Sequence, residues 1–291
     1  MSYILLILTT LFWAGNFVLG RAMHLVLPPI MMAELRWGLA LLLLLPFLIP
    51  RIIKNKAVII THWKILTLLS FLSVASFNTF IYIGLTSTNA SNATILQSAI
   101  PIFILILSAL WLKERVSIQQ WIGVGISLTG VLLLISQGKL DNLLALAFNL
   151  GDMYILVAVL CWATYSIVLR WRPADLDGFT FFCVTVLIGA IILLPFAGIE
   201  MYFAEPIIWQ SKISYTIVYM AIFPSILAYI FWNKGVADIG AVKTGLFIHF
   251  MPLFGVILSS VFLNEPIHQF HIIGILLIFS GVYLAVKAKL V

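Results

Sequence analysis

Ten stretches of this chain are apolar enough and long enough to cross a bilayer, which takes about 20 residues of helix. They lie near 2–20, 30–50, 64–86, 90–112, 117–136, 152–171, 178–198, 213–234, 239–263 and 267–286. Polar residues gather between them in short links. The pattern predicts an all-α integral membrane protein of ten transmembrane helices, with no room for a soluble domain. The longest link, 137–150, holds an apolar run at 143–148 that reads as a short interfacial segment. The first stretch starts at Ser2 with no basic leader or small-residue cleavage site, so it is expected to remain as a span.

The pattern also repeats. A shift of 151 residues lays Gly84 on Gly235, Pro101 on Pro252, Glu114 on Glu265, Gly123 on Gly274 and Gly130 on Gly281. A shift of 149 lays Trp13 on Trp162 and Arg21 on Arg170. Each copy contains five spans, and an odd number forces the second copy into the membrane upside down. Inverted repeats of this kind recur in secondary transporters, which bind their cargo at the midplane between the halves. The expected organisation is a first five-helix repeat over 1–136, a linker over 137–150 and a second, inverted repeat over 151–291.

Composition agrees with this reading. The chain is 63% hydrophobic and 9% charged, against about 25% charged in soluble domains, which excludes a water-soluble helical protein. The net charge of +6 does not indicate nucleic acid, because the Lys and Arg residues sit at span ends. Odd-numbered links carry three of them (Arg21, Lys139, Lys212), and even-numbered links with the C-terminus carry twelve, among them Arg51, Arg115, Arg170, Arg172 and Lys243. The positive-inside rule then puts both termini in the cytoplasm. Cys161 and Cys183 fall inside spans and suggest neither a disulfide framework nor a metal site.

Polar side chains at membrane depth usually face a bundle interior or a wet cavity. In span 3, Asn78 and Tyr82 share a helix face. Their mates in span 8 are Tyr229 and Asn233, the same two side chains in swapped order, with Trp232 beside them. Trp13 and Asn16 of span 1 match Trp162 and Tyr165 of span 6. The set reads as a pseudo-symmetric aromatic and amide lining, against the plainer alternative of interhelical hydrogen bonds and packing. Spans 4 and 9 carry Pro101 and Pro252, which kink a helix and free the carbonyls of Gln97 and Ile248. Gln97, Ser98 and His249 lie next to these kinks, and Ser98 matches His249. His249 is also a candidate proton carrier.

Span 2 holds Glu34 and Arg36, which point to different faces. Arg21 is the expected partner of Glu34 across the first hairpin. Arg36 is a candidate for a substrate carboxylate, an outer gate or a structural ion pair. Glu114 and Glu265 are expected to cap and dock the helices that follow them. His268 and His271 have possible ligand spacing, but no further acid or Cys supports a metal. Gly123, Gly130, Gly274 and Gly281, with Ser127 and Ser280, would let spans 5 and 10 pack closely. No nucleophile elbow, zinc-peptidase motif, phosphate loop or intramembrane Asp pair is present, so the sequence indicates no enzyme and implies no cofactor.

The chain resembles the drug/metabolite transporter superfamily, and within it the two-repeat EamA family. The resemblance rests on LFWAGNFVLGRAM at 11–23 and AELRWGLALLLLLP at 33–46. It rests equally on the repeat endings LKERVSIQQWIGVGISLTGVLLL at 112–134 and LNEPIHQFHIIGILLIFSGVYLA at 263–285. It implies ten helices in two inverted repeats, a central cavity and export of small organic molecules such as amino acids across a prokaryotic inner membrane. It also implies lining of that cavity by spans 1, 3, 4, 6, 8 and 9. The matched positions are Trp13, Asn16, Asn78, Tyr82, Gln97, Ser98, Trp162, Tyr165, Tyr229, Trp232, Asn233 and His249. Related small four-helix exporters couple protons through a Glu in their first span. Spans 1 and 6 here are read as free of acids, so that coupling is not carried over, and protons remain only a candidate co-substrate. The expectation is an alternating-access carrier of small amphipathic metabolites, amino acids first. A polyspecific exporter of drugs or cations is the alternative, ahead of a channel or a membrane-embedded enzyme. The expected partners are a small-molecule substrate and lipid; monomer and dimer both stay open.

Overall fold

A computed structural model of the chain describes residues 1–88, 90–144, 148–263 and 268–288. Ten helices of spanning length run through it: Ser2–Met23, Pro29–Thr61, Trp63–Ser87, Asn92–Trp111, Ile118–Ile135, Leu150–Trp171, Gly178–Phe203, Ser211–Ile239, Ala241–Leu258 and Gln269–Lys287. These are spans 1 to 10 below. Among the described residues there is no strand. Most boundaries follow the apolar stretches. Span 2 runs eleven residues past its expected end at 50, to Thr61, bending at Asn55 (φ −107°) and carrying Arg51, Lys54 and Lys56 out of the apolar layer. Of the interfacial segment expected at 143–148, residues 145–147 lie outside the described residues; Leu140–Leu144 forms a short helix.

Span 5 packs on span 10 and span 2 on span 7, while span 1 packs on span 8 and span 3 on span 6. Exchanging the halves turns each of these pairs into itself or into the other. Small residues set the tightest interface. A Cβ on Gly123 would stand 2.6 Å from the Gly281 carbonyl oxygen, and one on Gly130 would stand 2.6 Å from that of Gly274. Ser127 is buried here, whereas Ser280 is exposed and bonds only its own helix. Large apolar side chains such as Leu42, Phe47, Ile191, Leu194, Leu276 and Phe279 are exposed on the outside, as a lipid-facing surface requires.

Four irregular segments position the centre. Span 4 breaks after Gln97 and resumes at Ile100, with Pro101 in the first turn of the new helix, where a missing N–H is harmless. Span 9 tightens to a 3₁₀ turn at Leu246–His249 before its Pro252-containing helix. Spans 3 and 8 each contain seven residues of π-helix, Phe71–Phe77 and Ala221–Leu227, offset by 150 positions. The second contains Pro224; the first contains no proline. Such turns loosen the i to i−4 ladder and recur at functional sites.

At the ends, Glu200 of span 7 caps span 2, accepting from Ile30 N at 3.1 Å and Met31 N at 2.6 Å. The expected capping role of Glu114 is corrected, because Ser117 with Gln120 caps span 5. Glu114 instead accepts from Arg170 at 2.6 Å and from the Ser108 hydroxyl at 2.5 Å. Glu265 lies outside the described residues.

Candidate substrate site

The first cluster is built round Arg36, which is fully buried. Its Nη1 donates to Asn16 Oδ1 at 3.2 Å, to Asn78 Oδ1 at 2.8 Å and to the Tyr82 hydroxyl at 2.7 Å. Its Nε donates to Ser225 Oγ at 2.8 Å. Both π-helical turns feed this knot. Ser225 sits in the second and donates to Met220 O at 2.6 Å. Ser73 sits in the first, and its carbonyl accepts the Tyr229 hydroxyl at 2.8 Å. Tyr229 in turn accepts from Asn78 Nδ2 at 2.9 Å. The guanidinium also lies 5.1 Å from the Trp37 ring centre, within cation–π range.

The second cluster is aromatic. Trp13, Trp162, Tyr165, Tyr229 and Trp232 pack ring against ring, with Trp162 centred 5.1 Å from Trp13, 5.1 Å from Tyr229 and 5.4 Å from Trp232. Beyond it, Tyr165 donates to Asn233 Oδ1 at 2.6 Å. This pair answers the bond from Tyr82 to Asn16 at 2.8 Å. Phenol and amide change places at the matched positions, and the bond survives the exchange.

The third cluster stands apart. His249 Nε2 meets the Ser98 carbonyl at 3.0 Å and Nδ1 meets Ser127 Oγ at 2.6 Å. A carbonyl only accepts, so Nε2 donates to Ser98 O, while the Ser127 hydroxyl that faces Nδ1 also donates to Val124 O at 3.0 Å. The imidazole ties spans 4, 5 and 9 together. The carbonyl that finds a partner outside the helix is that of Ser98, one residue beyond the one expected from Pro101. Matched residues repeatedly touch each other: Asn78 with Tyr229, Ser98 with His249, Trp13 with Trp162.

A family model described as the EamA-like transporter family matches residues 1–136 and 149–287. The chain belongs to the EamA-like transporter family. It is similar to the uncharacterized transporter YyaM of Bacillus subtilis (strain 168), 28% identical over 97% of this chain and 92% of that protein. An uncharacterized transporter of Archaeoglobus fulgidus is also 28% identical, over 97% of this chain and 96% of its own. A solved crystal structure of a protein shares the fold, with a TM-score of 0.74 and 17% identity over 98% of this chain and 96% of that one. The chain is thus a multi-pass membrane transporter of the EamA type.

Within this EamA-type chain, all twelve expected lining residues are buried, and Asn233 also borders a cavity. That cavity, of about 430 Å³, lies between the links that follow spans 4, 6 and 8. Its walls include Glu114, Arg170, Arg172, Lys243 and Ser166 besides Asn233. At the opposite end, a cavity of about 380 Å³ between His24–Pro28 and Ala204–Gln210 touches none of the twelve.

Three expectations are corrected. Arg21 does not pair with Glu34; it donates to the carbonyls of Leu85 at 2.6 Å and Thr88 at 3.4 Å, while Glu34 Oε2 is buried without a partner. Among the described residues Arg36 makes no ion pair, and it is more fully buried than its place near a span end suggested. Span 6 does contain an acid: Asp152, 1% exposed, accepts from Thr88 at 2.5 Å, Asn92 at 3.2 Å and Asn149 N at 2.9 Å. Asp152 holds the first turn of span 6, and a capping box with Asn149 explains its burial. His268 and His271 form a helix cap, and among the described residues no three His, Cys, Asp or Glu side chains gather for a metal. Sequence reasoning missed Ser225, Ser73, Trp37 and Phe77, whose ring lies 4.6 Å from that of Trp162, because a serine or an aromatic in an apolar run has no periodic signal. The paired runs FLSVASFN and AIFPSILA were the available hint.

Proposed function

We propose that the chain is an alternating-access carrier that exports small amphipathic metabolites, amino acids first, across a prokaryotic plasma membrane. The observation that carries this reading is the central layering: the Arg36 knot, then a wall of tryptophan and tyrosine rings, then the Tyr165–Asn233 pair. An apolar body fits the rings, and polar ends fit the amides, phenols and guanidinium on either side. Contacts between matched residues support two inverted repeats, 1–136 and 151–291 joined by 137–150, because a two-fold axis brings a residue against its own mate.

The charge bias supports cytoplasmic termini, and the cavity at Asn233 then opens to the cytoplasm. The structure would be the inward-open or occluded state, with the Arg36 knot as the closed outer gate. A fully buried cation on the route disfavours cationic drugs as cargo. Counterflow in proteoliposomes loaded with unlabelled amino acids and metabolites tests the proposal. Accumulation of label driven by one loaded compound is expected; fluxes that ignore the trans compound would point to a channel instead.

A further inference from the structure

Arginine stays protonated in proteins, so Arg36 brings a full positive charge into the interior of the bundle. Its four hydrogen-bond partners, Asn16, Asn78, Tyr82 and Ser225, are all neutral. Among the described residues the ion pairs are Arg170–Glu114 and Lys234–Asp238. Both are formed by partly exposed side chains near span ends, away from Arg36. Glu34, two positions earlier on span 2, faces elsewhere and forms no ion pair with it. Arg36 Nη2 is buried without a hydrogen-bond partner. So are three other N–H groups around the aromatic wall: Trp37 Nε1, Trp162 Nε1 and Asn233 Nδ2. A buried charge held only by neutral dipoles is costly and is relieved most by an anion. A site rich in spare donors selects ligands rich in acceptors.

We propose that Arg36 is the residue that recognises a carboxylate on the substrate, trading Tyr82 and Asn16 for it as the knot opens. This rests on the carrier reading and narrows it to organic acids and zwitterions with an apolar body. Nη1 now serves three acceptors at once, while Nη2 is free, so a carboxylate bridging Nη1 and Nη2 would gain the bidentate geometry that guanidinium favours. Tyr82 would then return to Asn16 alone. The partner exchange links arrival of the anion to loosening of the knot between spans 1, 2, 3 and 8.

The test is binding to the purified full chain in detergent, read by quenching of tryptophan fluorescence. The probes are leucine, phenylalanine and hydrocinnamate, each against its neutral-headed carboxamide. Acids are expected to bind about tenfold or more tighter than their amides, the value of one charge-assisted hydrogen bond. Arg36→Gln should bring that preference close to one, and Arg36→Lys should keep part of it. Tyr82→Phe, which leaves Arg36 in place and removes its competitor, should tighten acid binding. Equal affinity for acid and amide in the wild type, no saturable quenching by any acid, or an unchanged preference in Arg36→Gln would each overturn the proposal. Preferential acid binding without counterflow would sink the carrier reading and leave Arg36's role standing. Counterflow by amides and amines alone would do the reverse.

Discussion

Asn78 and Tyr229 occupy matching places 151 residues apart, and the amide of one donates to the phenol of the other at 2.9 Å. The same bond continues from Tyr229 to the Ser73 carbonyl and from Asn78 to Arg36. One hydroxyl therefore couples the guanidinium to the π-helical turn of span 3 across the two halves.

Tyr229→Phe removes that hydroxyl and keeps the ring packing. It leaves Asn78 Nδ2 and Ser73 O without their partner, a loss of about 1–3 kcal/mol for a buried unpaired group. Thermal unfolding in detergent should begin at lower temperature, and counterflow should fall several-fold at equal membrane content. Full transport activity in this variant, and in Asn78→Ala, would remove the pair from the working site.

Accessibility separates the two ends of the pathway. In a chain with Cys161 and Cys183 replaced by Ala, Asn233→Cys should react with a membrane-impermeant thiol reagent in inside-out vesicles, because Asn233 borders the basic cavity. Asn16→Cys, enclosed with Arg36, should react far more slowly from either side. Labelling of Asn233→Cys only in right-side-out vesicles would invert the assigned topology.

Both ring nitrogens of His249 are already engaged. His249→Ala should lower the unfolding temperature, since Ser98 O and Ser127 lose a shared buried partner at about 1–3 kcal/mol. His249→Gln should transport with the pH profile of the wild type. A profile that flattens on this substitution would restore the imidazole as a proton carrier.

The interface of spans 5 and 10 offers a paired control. Gly130→Ala pushes a methyl to 2.6 Å from the Gly274 carbonyl oxygen, and the helices must part. Overpacking of this kind costs about 1–3 kcal/mol. Gly125→Ala, whose Cβ meets nothing within 4 Å, should leave stability unchanged. Equal melting curves for the two variants would mean that spans 5 and 10 do not pack as described.

The sequence by itself determined the ten spans, most of their boundaries and the correspondence of positions between the two halves. Hydropathy acts residue by residue and repeats leave their mark in order, so neither needs a partner to be read. It also singled out the amides and phenols at Asn16, Asn78, Tyr82, Tyr165, Tyr229 and Asn233, because such groups in apolar spans are rare enough to stand out, while Ser73 and Ser225 were not singled out.

Only the tertiary structure decided who meets whom. Arg36 read as a group near a span end, seven residues from Pro29; span 8 places Ser225 beside it and buries it among neutral dipoles. Arg21 faced Glu34 on paper, yet the rotation of span 1 turns it to the carbonyls of Leu85 and Thr88. A change of one residue turns a helix face by about 100°. The π-helical turns of spans 3 and 8 make such a change in the middle of the bundle. Which side chains share the centre therefore depends on helix rotation and crossing, quantities that spacing along a single helix does not contain.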